Sequence, residues 1–153
     1  MKLKRDEELK LKKLLGPLKD NARVQEMKRY IQHGRVSTYD HVNSVTRLSY
    51  WLDQRLHLKS DEKSLIRGAF LHDFYLYDWH KDPDKADGLH GYTHSETALR
   101  NASKHFKLNA KEKGIIRSHM WPLNITKVPK SREAWIVCVA DKLVSVKETL
   151  FNR

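Results

Sequence analysis

Several ionisable side chains stand where the sequence otherwise predicts apolar helix faces. His41 shares a helical stripe with three aliphatic residues, and the pair His72-Asp73 follows the apolar face of another predicted helix. Asp141 lies within the most apolar segment of the chain. A buried carboxylate is costly unless a cation or hydrogen-bond donors compensate it. Because no Arg or Lys occupies an equally apolar stripe, a divalent cation explains these carboxylates better than a structural salt bridge does.

Two further histidines stand at the ends of predicted helices. His94 is followed on its own face by Ala98 and Ala102, small residues that let another helix approach, and His119 follows a pair of isoleucines. Imidazoles and carboxylates together suit one or two octahedral ions such as iron or manganese. The candidate metal ligands are His41, His72, Asp73, His94, His119 and Asp141.

The elements that must position these residues are predicted to be helices. Apolar residues recur at three- and four-residue spacings, and no run of strict alternation is found. The fold class predicted from this pattern is all-α. The predicted helices cover residues about 2–14, 18–32, 38–56, 61–76, 94–106, 110–119 and 132–150.

Capping and helix-breaking residues set these limits. Gly16-Pro17 is expected to stop the first helix, and Gly34 the second. Ser60 is expected to cap the fourth helix, and Thr93, with a Glu three positions later, to cap the fifth. The stretch 77–92 has no helical periodicity, and a loop of this length is often functional.

Length and composition favour one compact core. The chain has 153 residues, of which 39% are hydrophobic, which is too apolar for a disordered protein. The longest strongly apolar run, 135–140, falls far short of the roughly 20 residues that a transmembrane helix needs. The first ten residues mix acids with bases, so no secretory signal is expected. A lone cysteine, Cys138, suits a reducing cytoplasm.

The formal net charge of +11 invites a nucleic-acid hypothesis. The surplus lies at the two ends, with net charges of +6 over 1–35 and +7 over 101–153, whereas 36–100 carries −2. Acidic residues interrupt the basic run of the first helix, and no recognition motif accompanies it. Most of the surplus is expected to be solvated surface. A further hypothesis is that bases from the two ends surround a metal site and attract an anionic substrate.

The order of an isolated His, an adjacent His-Asp and a distant helical Asp resembles the HD-domain superfamily of metal-dependent phosphohydrolases. The three pieces read YDHVNSV, GAFLHDF and VADKLVS. The resemblance spans residues 35–150 and implies a helical bundle of six to seven helices. Residues 1–34 would be an N-terminal helical extension of one HD-type domain that covers 1–153.

The resemblance also implies a ligand set. Residues matching His41, His72, Asp73 and Asp141 bind one metal in this family. HSETALRNA, from His94, and IIRSHMW, with His119, look like the two extra histidines of subfamilies that bind two ions. Carried over, they imply a dinuclear centre in which Asp73 bridges the ions and a metal-bound hydroxide attacks phosphorus. Iron or manganese is the expected metal, with magnesium, nickel, cobalt or zinc as alternatives.

Four other residues are candidate catalytic or substrate contacts. His90 could be the ligand in place of His94, support a ligand or give a proton to the leaving group. Lys142 and Arg117 flank ligands and could meet a phosphate, and Trp121 could stack on a base. The catalytic candidates are Asp73, Lys142 and His90, and the substrate-binding candidates are Arg117, Lys142 and Trp121. No role is expected for His33, His57 or His105.

Three functions compete. The leading hypothesis is a phosphohydrolase acting on a small nucleotide or a related phosphoester or phosphoanhydride. The chain lacks the Gly-Tyr-Pro element of the superfamily's cyclic-dinucleotide phosphodiesterases, so we do not expect that substrate. The alternative is an oxygenase of the same fold that cleaves a polyol or phosphonate at two irons. The third hypothesis is a basic nucleic-acid-binding module with a structural metal site.

Overall fold

The computed structural model describes residues 1–81 and 89–151, and helices dominate this part of the chain. Within it, seven α-helices, one 3₁₀ turn and a two-stranded hairpin follow one another. The α-helices are α1 (Arg5–Lys19), α2 (Ala22–Glu26), α3 (Thr38–Arg55), α4 (Glu62–Leu71), α5 (His90–His105), α6 (Ala110–Ser118) and α7 (Arg132–Phe151). The 3₁₀ turn is Met27–Arg29, and the strands are β1 (Ile31–His33) and β2 (Val36–Ser37). The predicted all-α class is confirmed.

Helix α3 lies between α4 and α7, and α6 packs against α4, α5 and α7. Ser37 caps α3 by accepting the backbone N–H of Asp40 at 3.1 Å. The sides of these helices that face one another carry fully buried aliphatic residues, among them Val45, Ile115 and Val137. Packing of this apolar layer fixes the relative positions of α3, α4, α6 and α7. None of the helices in 1–81 and 89–151 combines the length and apolarity that crossing a bilayer requires.

The prediction of one helix over 18–32 is wrong for the residues that follow α2, where a 3₁₀ turn and strand β1 stand instead. The backbone of Tyr30 is extended, with φ −105° and ψ 129°, and the chain enters an antiparallel hairpin instead. Gly34 turns the hairpin with φ 58°, which glycine adopts without steric cost. The side chain of Gln32 on β1 is buried and donates to Asp73 across the bundle at 2.7 Å. This tertiary contact favours the strand over the helix that local periodicity predicts.

The first helix also differs from its predicted end. It continues through Pro17 to Lys19, although Gly16-Pro17 is expected to stop it. Leu18, the residue after the proline, is buried with 1% of its surface exposed. Burial of this side chain outweighs the one backbone hydrogen bond that proline cannot donate.

Helix α4 is shorter than predicted at both ends. Asp61 caps it in place of Ser60, because the Asp61 carboxylate accepts the backbone N–H of Ser64 at 3.2 Å. The helix ends at Leu71, and the chain then turns away, with Leu76 at φ 59°. The His-Asp pair consequently follows the helix.

Helix α5 begins earlier than predicted. Its first residue is His90, and Thr93 lies inside the first turn, where its hydroxyl donates to the carbonyl of Leu89 at 3.3 Å. The predicted capping box at Thr93 is therefore wrong. Part of the predicted loop, 82–88, lies outside the described residues.

Two helix-interior glycines offer a matched test of the packing between α4 and α6. A Cβ on Gly68 would lie 2.5 Å from Ile115 Cδ1 and 3.1 Å from its Cβ, whereas nothing lies within 4 Å of a Cβ on Gly114. We expect Gly68→Ala to lower the free energy of unfolding by about 1–3 kcal/mol through overpacking. Gly114→Ala should raise it by about 0.5–1 kcal/mol because alanine favours helix. Urea denaturation measures both, and equal effects of the two variants would contradict the close packing.

Candidate metal centre

Five helices bring six ionisable side chains to one place inside the bundle. They are His41 in α3, His72 and Asp73 directly after α4, His94 in α5, His119 directly after α6 and Asp141 in α7. We call these six residues the His/Asp cluster. Each is buried, with at most 7% of its surface exposed. Since the residues come from five separate elements, only the packing of the bundle brings them together.

The first group in the cluster comprises His41, His72, Asp73 and Asp141, whose ligand atoms lie within 4.8 Å of one another. His41 Nε2 is 3.0 Å from Asp141 Oδ1 and 3.6 Å from Asp73 Oδ2. His72 Nε2 is 3.3 Å from Asp73 Oδ2 and 3.6 Å from Asp141 Oδ1. Imidazole nitrogens and carboxylate oxygens thus face one point, a donor set that suits a divalent transition metal.

The second group comprises Asp73, His94 and His119. The other oxygen of the aspartate, Oδ1, lies 3.2 Å from His94 Nε2 and 3.2 Å from His119 Nε2. The two imidazole nitrogens are 3.0 Å apart. Asp73 therefore belongs to both groups and presents one oxygen to each.

A hydrogen bond at Nδ1, on the side away from the cluster, orients each of its four histidines. Each Nδ1 is held by an acceptor, so that it carries the hydrogen and the Nε2 lone pair faces the cluster. The acceptors are Glu148 Oε2 for His41 (2.8 Å), Ala69 O for His72 (2.6 Å), His90 O for His94 (2.7 Å) and Ile116 O for His119 (2.7 Å).

While all four rings are neutral, these orientations leave electron pairs facing one another without hydrogens between them. Among the described residues, buried His72 Nε2 and Asp73 Oδ1 have no hydrogen-bond partner. His94 and His119 each direct an Nε2 lone pair at the other. A cation removes both problems at once, because it accepts electron pairs where no donor is present. The residues therefore fit a divalent metal ion in each group.

The shifted pKa values in the cluster also result from the close approach of its imidazoles and carboxylates. Burial disfavours charge on His41, but hydrogen bonds to Asp141 and Glu148 outweigh burial and raise its pKa to about 9. The charge of Asp73 likewise outweighs burial and holds the pKa of His72 well above its ordinary value. In spite of burial, the pKa values of Asp73 and Asp141 lie well below the usual range because of the histidines beside them. Without metal, protons on His41 and His72 compensate the carboxylates.

Comparison with known protein families assigns the chain to a family. The family model of the HD domain matches residues 38–145, which is most of the chain. The chain belongs to the HD domain family. Searches of curated proteins and of solved structures return no match. HD domains bind divalent metals and are in general metal-dependent phosphohydrolases. The predicted resemblance to the HD-domain superfamily is confirmed, and so is the helical bundle of six to seven helices. Membership of a dinuclear subfamily stays a prediction.

Two buried side chains that support the cluster lie outside the segment matched to the HD domain, and the sequence analysis missed both. Glu148 stands seven residues after Asp141, two helical turns along the same face of α7, and this spacing could have revealed it. Gln32 lies on the hairpin strand β1, and no spacing signal connects it to the cluster.

The amide of Gln32 has one orientation. The hydroxyls of Tyr75 and Thr38 both donate to Gln32 Oε1. The NH₂ group must then face Asp73, whose Oδ2 accepts it at 2.7 Å. Gln32 thereby holds one oxygen of the carboxylate that both groups share.

His33 is a further residue near the cluster, although the sequence analysis gives it no role. It is half-buried on the hairpin, and its ring meets the ring of His41 edge-on at 5.5 Å. With His41 and Glu148 it forms a third group of side chains that could hold an ion. His33 also lines the cleft that leads to the cluster.

That cleft has a volume of about 690 Å³ and exposes Asp73, His94 and Asp141 of this HD domain. Among the described residues, Lys142 is the one Lys or Arg that lines it. The basic surplus of the two chain ends thus contributes one side chain to the cleft in the described part of the chain.

His90 and Lys142, two of the catalytic candidates, both line the cleft. His90 stacks on His94 at 4.5 Å, and its Nδ1 is 2.6 Å from the hydroxyl of Tyr77. Burial lowers the pKa of His90 to about 3, so its ring is neutral at pH 7. Lys142 Nζ donates to the carbonyl of His119 at 3.0 Å, behind that candidate ligand.

The structure brings neither Arg117 nor Trp121 into this cleft. Arg117 lies 3.7 Å from Glu96 beside a separate surface depression, with 57% of its side chain exposed. The Trp121 ring packs edge-on against Trp135 at 5.0 Å, and its neighbours on either side line the cleft instead.

Glu148 offers a test of the support behind the cluster. Because its carboxylate accepts from His41 Nδ1, we expect Glu148→Gln to weaken Mn²⁺ binding at the first group by about 10–100-fold. Isothermal titration with Mn²⁺ measures this loss. Glu133→Gln is the matched control: Glu133 is also buried in α7, but its carboxylate contacts Asp61 and Lys111. Equal Mn²⁺ affinities of the two variants would contradict the role of Glu148.

Proposed function

We propose that this HD domain protein hydrolyses phosphoric esters or anhydrides, with a small nucleotide or a related phosphoester as substrate. The observation that carries the proposal is the position of Asp73, whose two oxygens face two groups of metal-compatible ligands at the base of an open cleft. This arrangement supports two bound ions, with iron or manganese as the first candidates.

The protein's own residues have distinct tasks in this proposal. His41, His72 and Asp141 would hold one ion and His94 and His119 the other, with Asp73 shared. When bound, the ions would lower the pKa of a water molecule and offset the charge that develops on phosphoryl oxygens. Lys142, at the edge of the cleft, adds positive charge beside the phosphate, and His90 contributes a neutral ring to the wall. Gln32 holds Asp73 in the orientation that serves both groups.

The alternatives make different demands on the same residues. An oxygenase would use the same ligands with two irons and would consume dioxygen. A nucleic-acid-binding module would not need Asp73 for binding, and its affinity would fall steeply with salt. The cleft leading to the cluster has the size of a small substrate, which favours an enzyme over a nucleic-acid-binding module. Oxygen uptake separates the oxygenase from the hydrolase.

The test is a metal analysis of anaerobically purified protein, followed by phosphate release from a panel of nucleotides and phosphomonoesters. We expect bound transition metal and phosphate release that Asp73→Ala abolishes. Asp53→Ala, at a buried carboxylate outside the cluster, should retain both properties. Oxygen uptake with a polyol or phosphonate and no phosphate release, or RNA binding that persists in Asp73→Ala without any hydrolysis, would overturn the proposal.

The compartment and extent of the protein belong to the same proposal. Cys138 is buried and unpaired, which supports a reducing cytoplasm. We propose one HD-type domain over residues 1–153, in which 1–34 form an N-terminal helical extension whose helix α1 packs against α4.

A further inference from the structure

The cleft above the His/Asp cluster has a polar floor and an apolar side. Trp79, Met120, Pro122 and Leu123 line the apolar side. Leu123 is 47% exposed, although it is a large aliphatic residue. Gly91 at the start of α5 approaches it closely, since a Cβ at this glycine would lie 3.2 Å from Leu123 Cδ2. The apolar side is thus built by close contact between α5 and the loop that follows α6.

The lining of the cleft provides little charge for recognising a polyphosphate. Among the described residues, Lys142 is the one Lys or Arg on its lining, and its Nζ already donates to the carbonyls of His119 and Cys138 at 3.0 and 3.4 Å. A second or third phosphate would lose its hydration without gaining a further Lys or Arg partner among the described lining residues, which is costly. The His/Asp cluster at the floor therefore suits a substrate with a single phosphoryl group.

We propose that the cleft binds a phosphomonoester with an aromatic leaving group, which lies against Met120, Pro122 and Leu123. This inference rests on the proposed phosphohydrolase function and narrows its substrate class. An aromatic ring suits this side because it buries a large apolar area and makes favourable contacts with a thioether. The cleft volume of about 690 Å³ is of the size that holds small ligands.

The reaction balances as a simple hydrolysis. Water oxygen bonds to phosphorus, and the bond between phosphorus and the ester oxygen breaks with its electron pair moving to that oxygen. One proton from the water ends on the leaving oxygen, so that the products are inorganic phosphate and a phenol. No oxidant or second substrate is required.

Phosphonates test the binding step alone, because their carbon–phosphorus bond is not hydrolysed. In anaerobic titrations of the Mn²⁺-loaded protein, phenylphosphonate should bind about 10-fold or more tightly than methylphosphonate, the scale expected for burying a ring. Leu123→Asp should remove most of this difference. Ile125→Asp is the matched control, since Ile125 is 73% exposed and does not line the cleft.

Measurements of turnover distinguish this binding inference from the phosphohydrolase function on which it rests. We expect kcat/KM for 1-naphthyl phosphate to exceed that for ATP by about 10-fold or more, and Leu123→Asp to reduce the former selectively. If phenylphosphonate is preferred but no ester or anhydride is hydrolysed, the binding inference stands and the phosphohydrolase proposal falls. If both phosphonates bind equally or not at all, if tripolyphosphate binds more tightly than phenylphosphonate, or if Leu123→Asp behaves like Ile125→Asp, the inference is wrong.

Discussion

Asp73→Asn is expected to abolish binding of metal to both groups of the cluster and to slow hydrolysis by about 10³-fold, which corresponds to losing several kcal/mol of electrostatic stabilisation. The reason is geometric, because Asp73 Oδ2 is 3.3 Å from His72 Nε2 and its Oδ1 is 3.2 Å from His94 Nε2. No other carboxylate in the cluster reaches both groups. Metal content by mass spectrometry and phosphate release measure the two effects.

Two further variants make this result specific. Asp141→Asn removes a carboxylate from the first group alone, so this variant should keep one ion at the second group. Asp53→Asn removes a carboxylate that is 2% exposed and accepts the backbone N–H of Ser60 at 3.0 Å, and it should keep full metal content. Circular dichroism of the same samples checks that each variant is folded. Wild-type metal content in folded Asp73→Asn would contradict a shared carboxylate.

The metal-free and metal-loaded proteins are expected to respond to pH in opposite directions. Hydrogen bonds to Asp141 and Glu148 outweigh burial and raise the pKa of His41 from 6.5 to about 9. Its proton therefore stabilises the metal-free protein fully below pH 6.5, and this stability, on the order of 3 kcal/mol, is lost as the pH rises to about 9. Metal binding requires this proton to leave, so affinity for metal should rise over the same range.

Thermal unfolding of EDTA-treated and Mn²⁺-loaded protein under anaerobic conditions measures both trends. Between pH 6.5 and 9, the midpoint of the metal-free protein should fall by about 6–12 °C, whereas that of the loaded protein should hold or rise. His105→Gln, at an exposed histidine outside the cluster, should leave both curves unchanged. A metal-free midpoint that rises with pH would contradict a protonated His41.

The helices that carry the cluster could be predicted because their apolar faces repeat at helical spacing and their capping residues are local. The predicted helices over 38–56 and 110–119 agree with α3 and α6, which Ser37 and Asn109 cap. The hairpin could not be predicted, since a contact between Gln32 and a residue 41 positions away stabilises it. Helix α1 passes Pro17 for the same kind of reason, because burial of Leu18 depends on the rest of the fold.

By itself, the sequence determined which side chains would be forced together. A His or Asp on an otherwise apolar helix face must be buried when that face packs, and a buried carboxylate must find a cation. Only the tertiary structure decided how they are held. Gln32 and Glu148 reach the cluster through space, and His94 directs its Nε2 into it while His90, one turn earlier, stacks behind. Sequence spacing reveals the periodicity of a single helix, whereas these contacts depend on how separate elements pack.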